Sequence, residues 1–114
     1  MGRVFVTQES SYNFSKAEKF GEIVFISRDD LHNTQASLHN EQVMQEINRK
    51  LRDFNPEDDW LVIAGSPYIA AVVFLLLGRR GVKNINLLRW DNRDYMYLPM
   101  KLNLRGAIDN ERGI

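Results

Sequence analysis

The stretch Trp60-Leu61-Val62-Ile63-Ala64-Gly65-Ser66-Pro67-Tyr68-Ile69-Ala70-Ala71-Val72-Val73-Phe74-Leu75-Leu76-Leu77-Gly78 decides the fold. Trp60 to Ala64 is apolar without alternation. A strand with one wet face would alternate, so this run predicts a strand covered on both faces, as in parallel sheets. Gly65-Ser66-Pro67 then makes a turn, with Ser66 suited to cap a helix and Pro67 to its first position. Ile69 to Leu77 is apolar on every side and predicts a buried helix. Gly78-Arg79-Arg80-Gly81 closes it, with cations beside the negative helix end. The 19 uncharged residues from Trp60 to Gly78 are split by the turn, and the helix alone falls short of the roughly 20 residues of a membrane span.

Working outward, Ile23-Val24-Phe25-Ile26 is a second continuous apolar strand, and Arg3 to Thr7 a short β-branched and aromatic one. Between them, Gln8 to Phe14 reads as a polar loop and Ser15 to Phe20 as one or two helical turns ending at Gly21. Ser27 to Leu38 is a polar connection. His39 to Phe54 is amphipathic, with Val43, Met44, Ile47, Leu51 and Phe54 on one stripe and Glu46 four residues before Lys50. Asn55-Pro56 ends it. Asn84 to Trp90 is a further strand, Asp91 to Asp94 a turn, and Tyr95 to Leu102 an alternating strand that Pro99 confines to an edge.

This order predicts an α/β fold. The expected form is a three-layer Rossmann-like sandwich, with a mainly parallel sheet of about five strands, an antiparallel edge hairpin and helices on both faces. Residues 1–102 read as a single domain and 103–114 as a tail docked on the domain or on a neighbouring subunit.

The 114 residues carry 15 cations and 15 anions, so the whole chain is neither a strongly basic nucleic-acid binder nor an acidic tail protein. The absence of cysteine excludes disulfides, thiolate metal sites and a Cys nucleophile. The N-terminus lacks the long apolar stretch of a secretory signal, and the expected location is cytoplasmic. His32 and His39 are the only histidines and are seven apart, a spacing that fits no metal motif, so no metal is expected. Ser66 lacks the second glycine of a nucleophile elbow, where Tyr68 stands. No glycine follows the first strand, which removes the dinucleotide fingerprint. No catalytic residue and no cofactor is expected.

Three surfaces remain. Open parallel sheets bind ligands beyond the carboxyl ends of their strands. Those ends hold Gln8, Glu9 and Ser10, then Arg28, Asp29 and Asp30, then Gly65 and Ser66, then Trp90 and Asp91, with free N–H groups at the helix start to receive an anion. Polar loops are also expected there without any ligand. On the hairpin, Arg89, Arg93 and Lys101 interleave with Trp90, Tyr95 and Tyr97, a pattern that fits single-stranded nucleic acid or an edge strand protected by charge. The third surface is the apolar helix itself. Its outer side is covered by the tail or N-terminal loop, by a second copy, or by a partner protein. The expected interface residues are Ile69, Val72, Val73, Phe74, Leu76 and Leu77, in a homodimer.

Asp59 to Pro67 with its apolar helix, Leu88-Arg89-Trp90-Asp91 leading to Tyr97-Leu98-Pro99, the opening Val4-Phe5-Val6-Thr7-Gln8-Glu9, and Leu51-Arg52-Asp53-Phe54 resemble small uncharacterised proteins encoded by tailed bacteriophages. The resemblance touches most of the chain, through structural rather than catalytic motifs. It implies a phage accessory protein made in an infected bacterial cytoplasm, and it implies no activity. The leading expectation is a non-enzymatic interaction module that binds a host or phage protein as a homo-oligomer. A binder of nucleotides or other small anions, with or without catalysis, is the alternative, and single-stranded nucleic-acid binding the third.

Overall fold

In the computed structural model, which describes residues 2–35 and 37–112, the continuous apolar runs are neighbouring parallel strands of one sheet. The strands are β1 (Val4–Gln8), β2 (Ile23–Ser27), β3 (Trp60–Val62), β4 (Asn84–Asp91) and β5 (Met96–Asn103). Their order in space is β2-β1-β3-β4-β5. The first four run parallel, with Phe5 beside Val24 on one side and Leu61 on the other. β5 is antiparallel to β4, Trp90 standing opposite Tyr97. β1 is an inner strand and wholly buried, whereas β2, expected to be covered on both faces, is the edge strand beside it, with Ile23, Val24 and Phe25 only half-buried.

The helices are α1 (Leu38–Leu51), α2 (Pro67–Arg79) and α3 (Leu104–Arg112), with a 3-10 helix at Ser15–Phe20. The chain leaves β1 towards β2 and then steps the other way, to β3 and to β4. Right-handed crossovers therefore put α1 and α2 on one face and the 3-10 helix on the other. The two faces carry separate cores. Phe5, Ile26, Ile47, Leu51, Leu61, Ile69 and Val73 fill the first, and Val4, Val6, Phe14, Ala17, Val62 and Leu88 the second.

The mixed α/β architecture, the mostly parallel five-stranded sheet and the antiparallel edge pair agree with the sequence expectation. A full Rossmann-like third layer is not what the second face displays. Among the described residues the crossover from β1 to β2 on that face forms a 3-10 helix and not an α-helix.

Local chemistry sets the element ends. Ser37 caps α1 by accepting from the Asn40 N–H. α1 stops at Leu51, three residues short of expectation, yet Phe54 stays in the core, edge-on to Phe5 at 5.3 Å. Glu46 pairs with Arg49 rather than with Lys50. Ser66 caps α2 and Pro67 is its first residue, as its sequence predicts. In the expected tail, β5 runs on to Asn103 and directly into α3. The described side chains of α3, Leu104 to Ile108, are exposed. Positions 113 and 114 of the expected tail lie outside the described residues.

One carboxylate ties the amino ends together. Asp59 is 4% exposed and accepts from the Arg3 N–H at 2.8 Å and the Asn55 N–H at 2.7 Å. It joins the start of β1 to the turn before β3. Replacing it leaves two amides without their charged acceptor. Asp59→Ala is expected to lower the unfolding free energy by about 2–3 kcal/mol in urea denaturation.

Candidate binding sites at the strand ends and on the hairpin

The carboxyl ends of β1, β2 and β3 converge as expected, but they bind one another. Gln8, at the end of β1, is the hub. Its Nε2 donates to the Asp29 carbonyl at 3.1 Å and its Oε1 accepts from the Ser66 N–H at 2.6 Å. Beside it, Thr7 Oγ1 donates to the Ala64 carbonyl at 2.8 Å and accepts from the Ala64 N–H at 2.9 Å. Gly65 has φ +74°, and a Cβ there would collide with the Gln8 amide, so this position needs glycine both for backbone shape and for space.

The remaining polar groups are also engaged. Ser27 Oγ donates to the Asp29 carbonyl at 2.9 Å. Arg28 forms an exposed ion pair with Glu9 at 2.9 Å. Asp30 accepts from the Leu31 N–H at 2.8 Å. Ser10 accepts weakly from the Tyr12 N–H at 3.4 Å. At the start of α2, Ser66 gives its N–H to Gln8, Pro67 has none, and the Tyr68 N–H is capped by Ser66 Oγ at 3.2 Å. The structure thus gathers Gln8, Glu9, Arg28, Asp29, Gly65 and Ser66 at the strand switch point, and fills the crevice with the Gln8 side chain. Trp90 and Asp91 stand apart on the hairpin, where Asp91 accepts from the Arg93 N–H at 3.1 Å.

His32 and His39 are brought together. Their rings stack at 3.8 Å, and His39 Nε2 lies 2.8 Å from the Asp30 carbonyl. Among the described residues no group of three acidic, histidine or cysteine side chains is placed to hold a metal. Of the expected interface residues, Ile69, Val73 and Leu77 are in the core with 1% exposure or less, and so are removed from any surface. Val72, Phe74 and Leu76 are half-buried against that core. The outward stripe of α2 is instead Tyr68, Ala71 and Leu75.

The hairpin residues do not form one strip. Trp90 and Tyr97 share a face, with rings at 4.9 Å in an edge-on contact. Arg89 pairs with Leu98 on the opposite face, and Lys101 lies beside Asn86 towards the far end of the hairpin. Arg93 and Tyr95 are exposed at the turn.

A cavity of about 760 Å³ opens beside Trp90 and Tyr97, between the hairpin, the end of β3 and the segment entering the 3-10 helix. Tyr12, Phe14, Lys16, Val62, Trp90 and Tyr97 are among its lining residues. Lys16 donates to the Tyr95 carbonyl at 2.6 Å, and its Nζ lies 5.8 Å from the centre of the Trp90 ring. Burial pushes the Tyr97 phenol above its ordinary value. Sequence reading names Trp90 and Tyr97 but misses Tyr12, Phe14 and Lys16. Only a pairing of the N-terminal loop with the hairpin could have signalled them.

A model of the family described as Phage Pam3 gp32-like protein matches residues 2–104. The chain belongs to this family. No curated protein and no solved structure matches it. The family match spans all five strands, α1 and α2, and every residue of the plugged crevice and of the hairpin cavity. It bears out the phage resemblance carried by the Trp60–Pro67 and Leu88–Pro99 motifs. Among the described residues, no helix of this family member is long and apolar enough to cross a membrane.

Two outcomes are expected of these sites. Gln8→Ala strands the Ser66 N–H and is expected to cost about 1–3 kcal/mol in urea denaturation. For Tyr97, the folded chain holds the phenolic proton more firmly than the unfolded chain does. Its contribution is intact below the unfolded pKa of about 10 and is lost as pH rises beyond it. Tyr97→Phe should therefore reduce the fall in unfolding free energy between about pH 9 and pH 11.

Proposed function

We propose that this phage protein is a non-enzymatic binding module that self-associates in the host cytoplasm, using the uncovered helix-side row of β5 and α3. The observation that carries this reading is the row itself. Leu98, Met100 and Leu102 lie on the same side of the hairpin as Arg89, Leu87 and Ile85. Ile85 and Leu87 are in the core under the helices, each 8% exposed. One strand further out, Leu98, Met100 and Leu102 are each 40% exposed or more. The core of this face simply continues past its cover.

Immediately beyond the row, α3 presents Leu104 and Ile108, four residues apart on one helical side and both exposed. One chain therefore carries both an uncovered apolar sheet face and an uncovered apolar helix side. A two-fold arrangement places the helix of each copy over the sheet row of the other, which a self-complementary surface requires. Burying such side chains is favourable by roughly 25 cal/mol per Å² of apolar area. A host or phage protein with a similar apolar helix would compete for the same row.

The Gln8 side chain filling the switch point between β1 and β3 supports a binding role over small-ligand chemistry there. Gln8 takes the acceptor and donor positions that an anion or ribose would use.

Light scattering coupled to size exclusion should give twice the chain mass at micromolar concentration. Met100→Lys with Leu102→Lys, at positions that are not in the core, should return the chain mass with a preserved helical signal. The wild-type chain running as a monomer would remove the self-association reading.

A further inference from the structure

The cavity beside the hairpin is bounded mainly by residues of the opposite face of the sheet, Phe14, Val62, Leu88, Trp90 and Tyr97, with Met100 of the association row at its margin. We infer that it binds a small planar heteroaromatic compound of the nucleoside monophosphate class, stacked against Trp90, held by the Tyr97 hydroxyl and met by Lys16.

Size comes first. About 760 Å³ falls inside the range of small-molecule sites, and the walls are mainly aromatic and aliphatic. Tyr97 is the decisive residue. It is 5% exposed, yet among the described residues its hydroxyl has no hydrogen-bond partner. No described side-chain nitrogen or oxygen is both fully buried and unpartnered, so the small exposed part of Tyr97 includes that hydroxyl, and it opens on the cavity its residue lines. A tyrosine buried this far ordinarily finds a partner for its O–H. Because burial also keeps the phenol protonated, it stands as a donor throughout the physiological range.

The other groups narrow the ligand. Trp90 is 38% exposed and held edge-on by Tyr97, so its indole is positioned but not covered. An exposed indole accepts a flat ring by stacking, and bases suit it whatever their identity. Lys16 adds one cation beside that ring, which favours an anionic substituent on the ligand. A nucleoside monophosphate combines a flat ring, ring atoms that accept from a phenol, and a phosphate. A longer strand fits less well. Lys16 and Arg89 are the cations among the lining residues and Lys101 lies at the other end of the hairpin, so the positive charge is local to the cavity and suits one phosphate better than a chain of them.

The test is a titration of ¹⁵N-labelled protein with adenosine, uridine, their 5′-monophosphates and a short single-stranded oligonucleotide. Expected is a saturable shift of the Trp90 indole and of the Asn13 to Lys16 amides, with a dissociation constant below about 1 mM for a monophosphate. Its nucleoside should bind more weakly. Tyr97→Phe should weaken binding roughly three- to tenfold without lowering thermal stability, since no protein partner is lost. Lys16→Gln should weaken the monophosphate and leave the nucleoside unchanged. The inference is overturned by the absence of a saturable shift up to about 10 mM, or by Tyr97→Phe binding as the wild type does. It is equally overturned by an oligonucleotide that binds at least about tenfold tighter than any monophosphate.

Discussion

Two helices cannot cover five strands. Strands lie about 4.8 Å apart, and packed helices about 10 Å apart, so a pair of helices shields roughly four strands. In this chain α1 packs on β2, and α2 on β1 and against α1. That leaves the outer strand, β5, beyond their reach. The arrangement follows from connectivity: one short crossover to the left and two helical crossovers to the right, all of the same hand, send both α-helices to one face. The exposed row on β5 is a consequence of that arithmetic rather than of an unusual sequence, and it gives the family member a surface without any dedicated loop.

The same topology explains where the switch point is filled and where room remains. β1 and β3 flank the point where the strand order turns, the usual ligand crevice of open parallel sheets. A ligand there needs glycines that let the backbone approach it and a helix start with free N–H groups. This chain places Gln8 in that space and Pro67 at the helix start, and Gly65 yields room to the Gln8 amide rather than to a phosphate. On the other face, a 3-10 helix of six residues covers less of the sheet than an α-helix would. The uncovered remainder, bounded by Trp90 and Tyr97, is the hairpin cavity. Two short economies of chain length thus produce two surfaces, one on each side of the sheet.

Much of the fold was legible because its signals are local. Non-alternating runs at Ile23–Ile26 and Trp60–Val62 mark parallel strands, Ser66-Pro67 marks a helix start, and the alternation after Asp94 marks an edge. The covering of α2 was not legible, because circumference alone does not say which positions point outward. Small Ala71 occupies much of the outer stripe, the half-buried Val72, Phe74 and Leu76 lean on the core, and only Tyr68 and Leu75 are large and exposed. The strand-end residues were correctly gathered by position, but whether Gln8 receives a ligand or replaces one depends on side-chain geometry that spacing does not encode. Lys16 beneath the hairpin is a contact across 79 positions of sequence, and no local pattern announces it.

How the outer strand can associate is itself constrained. Pro99 stands opposite Leu88 in the antiparallel ladder. With no N–H to give, it must occupy a position whose nitrogen points away from β4, towards the free edge. The outward donors of β5 are then those of Tyr97 and Lys101, with the one between them missing. A second strand adding to this edge would leave its central carbonyl unpaired, a cost comparable to a lost hydrogen bond. Sheet extension is therefore penalised, while the side-chain face next to it is both apolar and unhindered. The self-association proposed for β5 is for this reason face to face, helix over row, and not edge to edge.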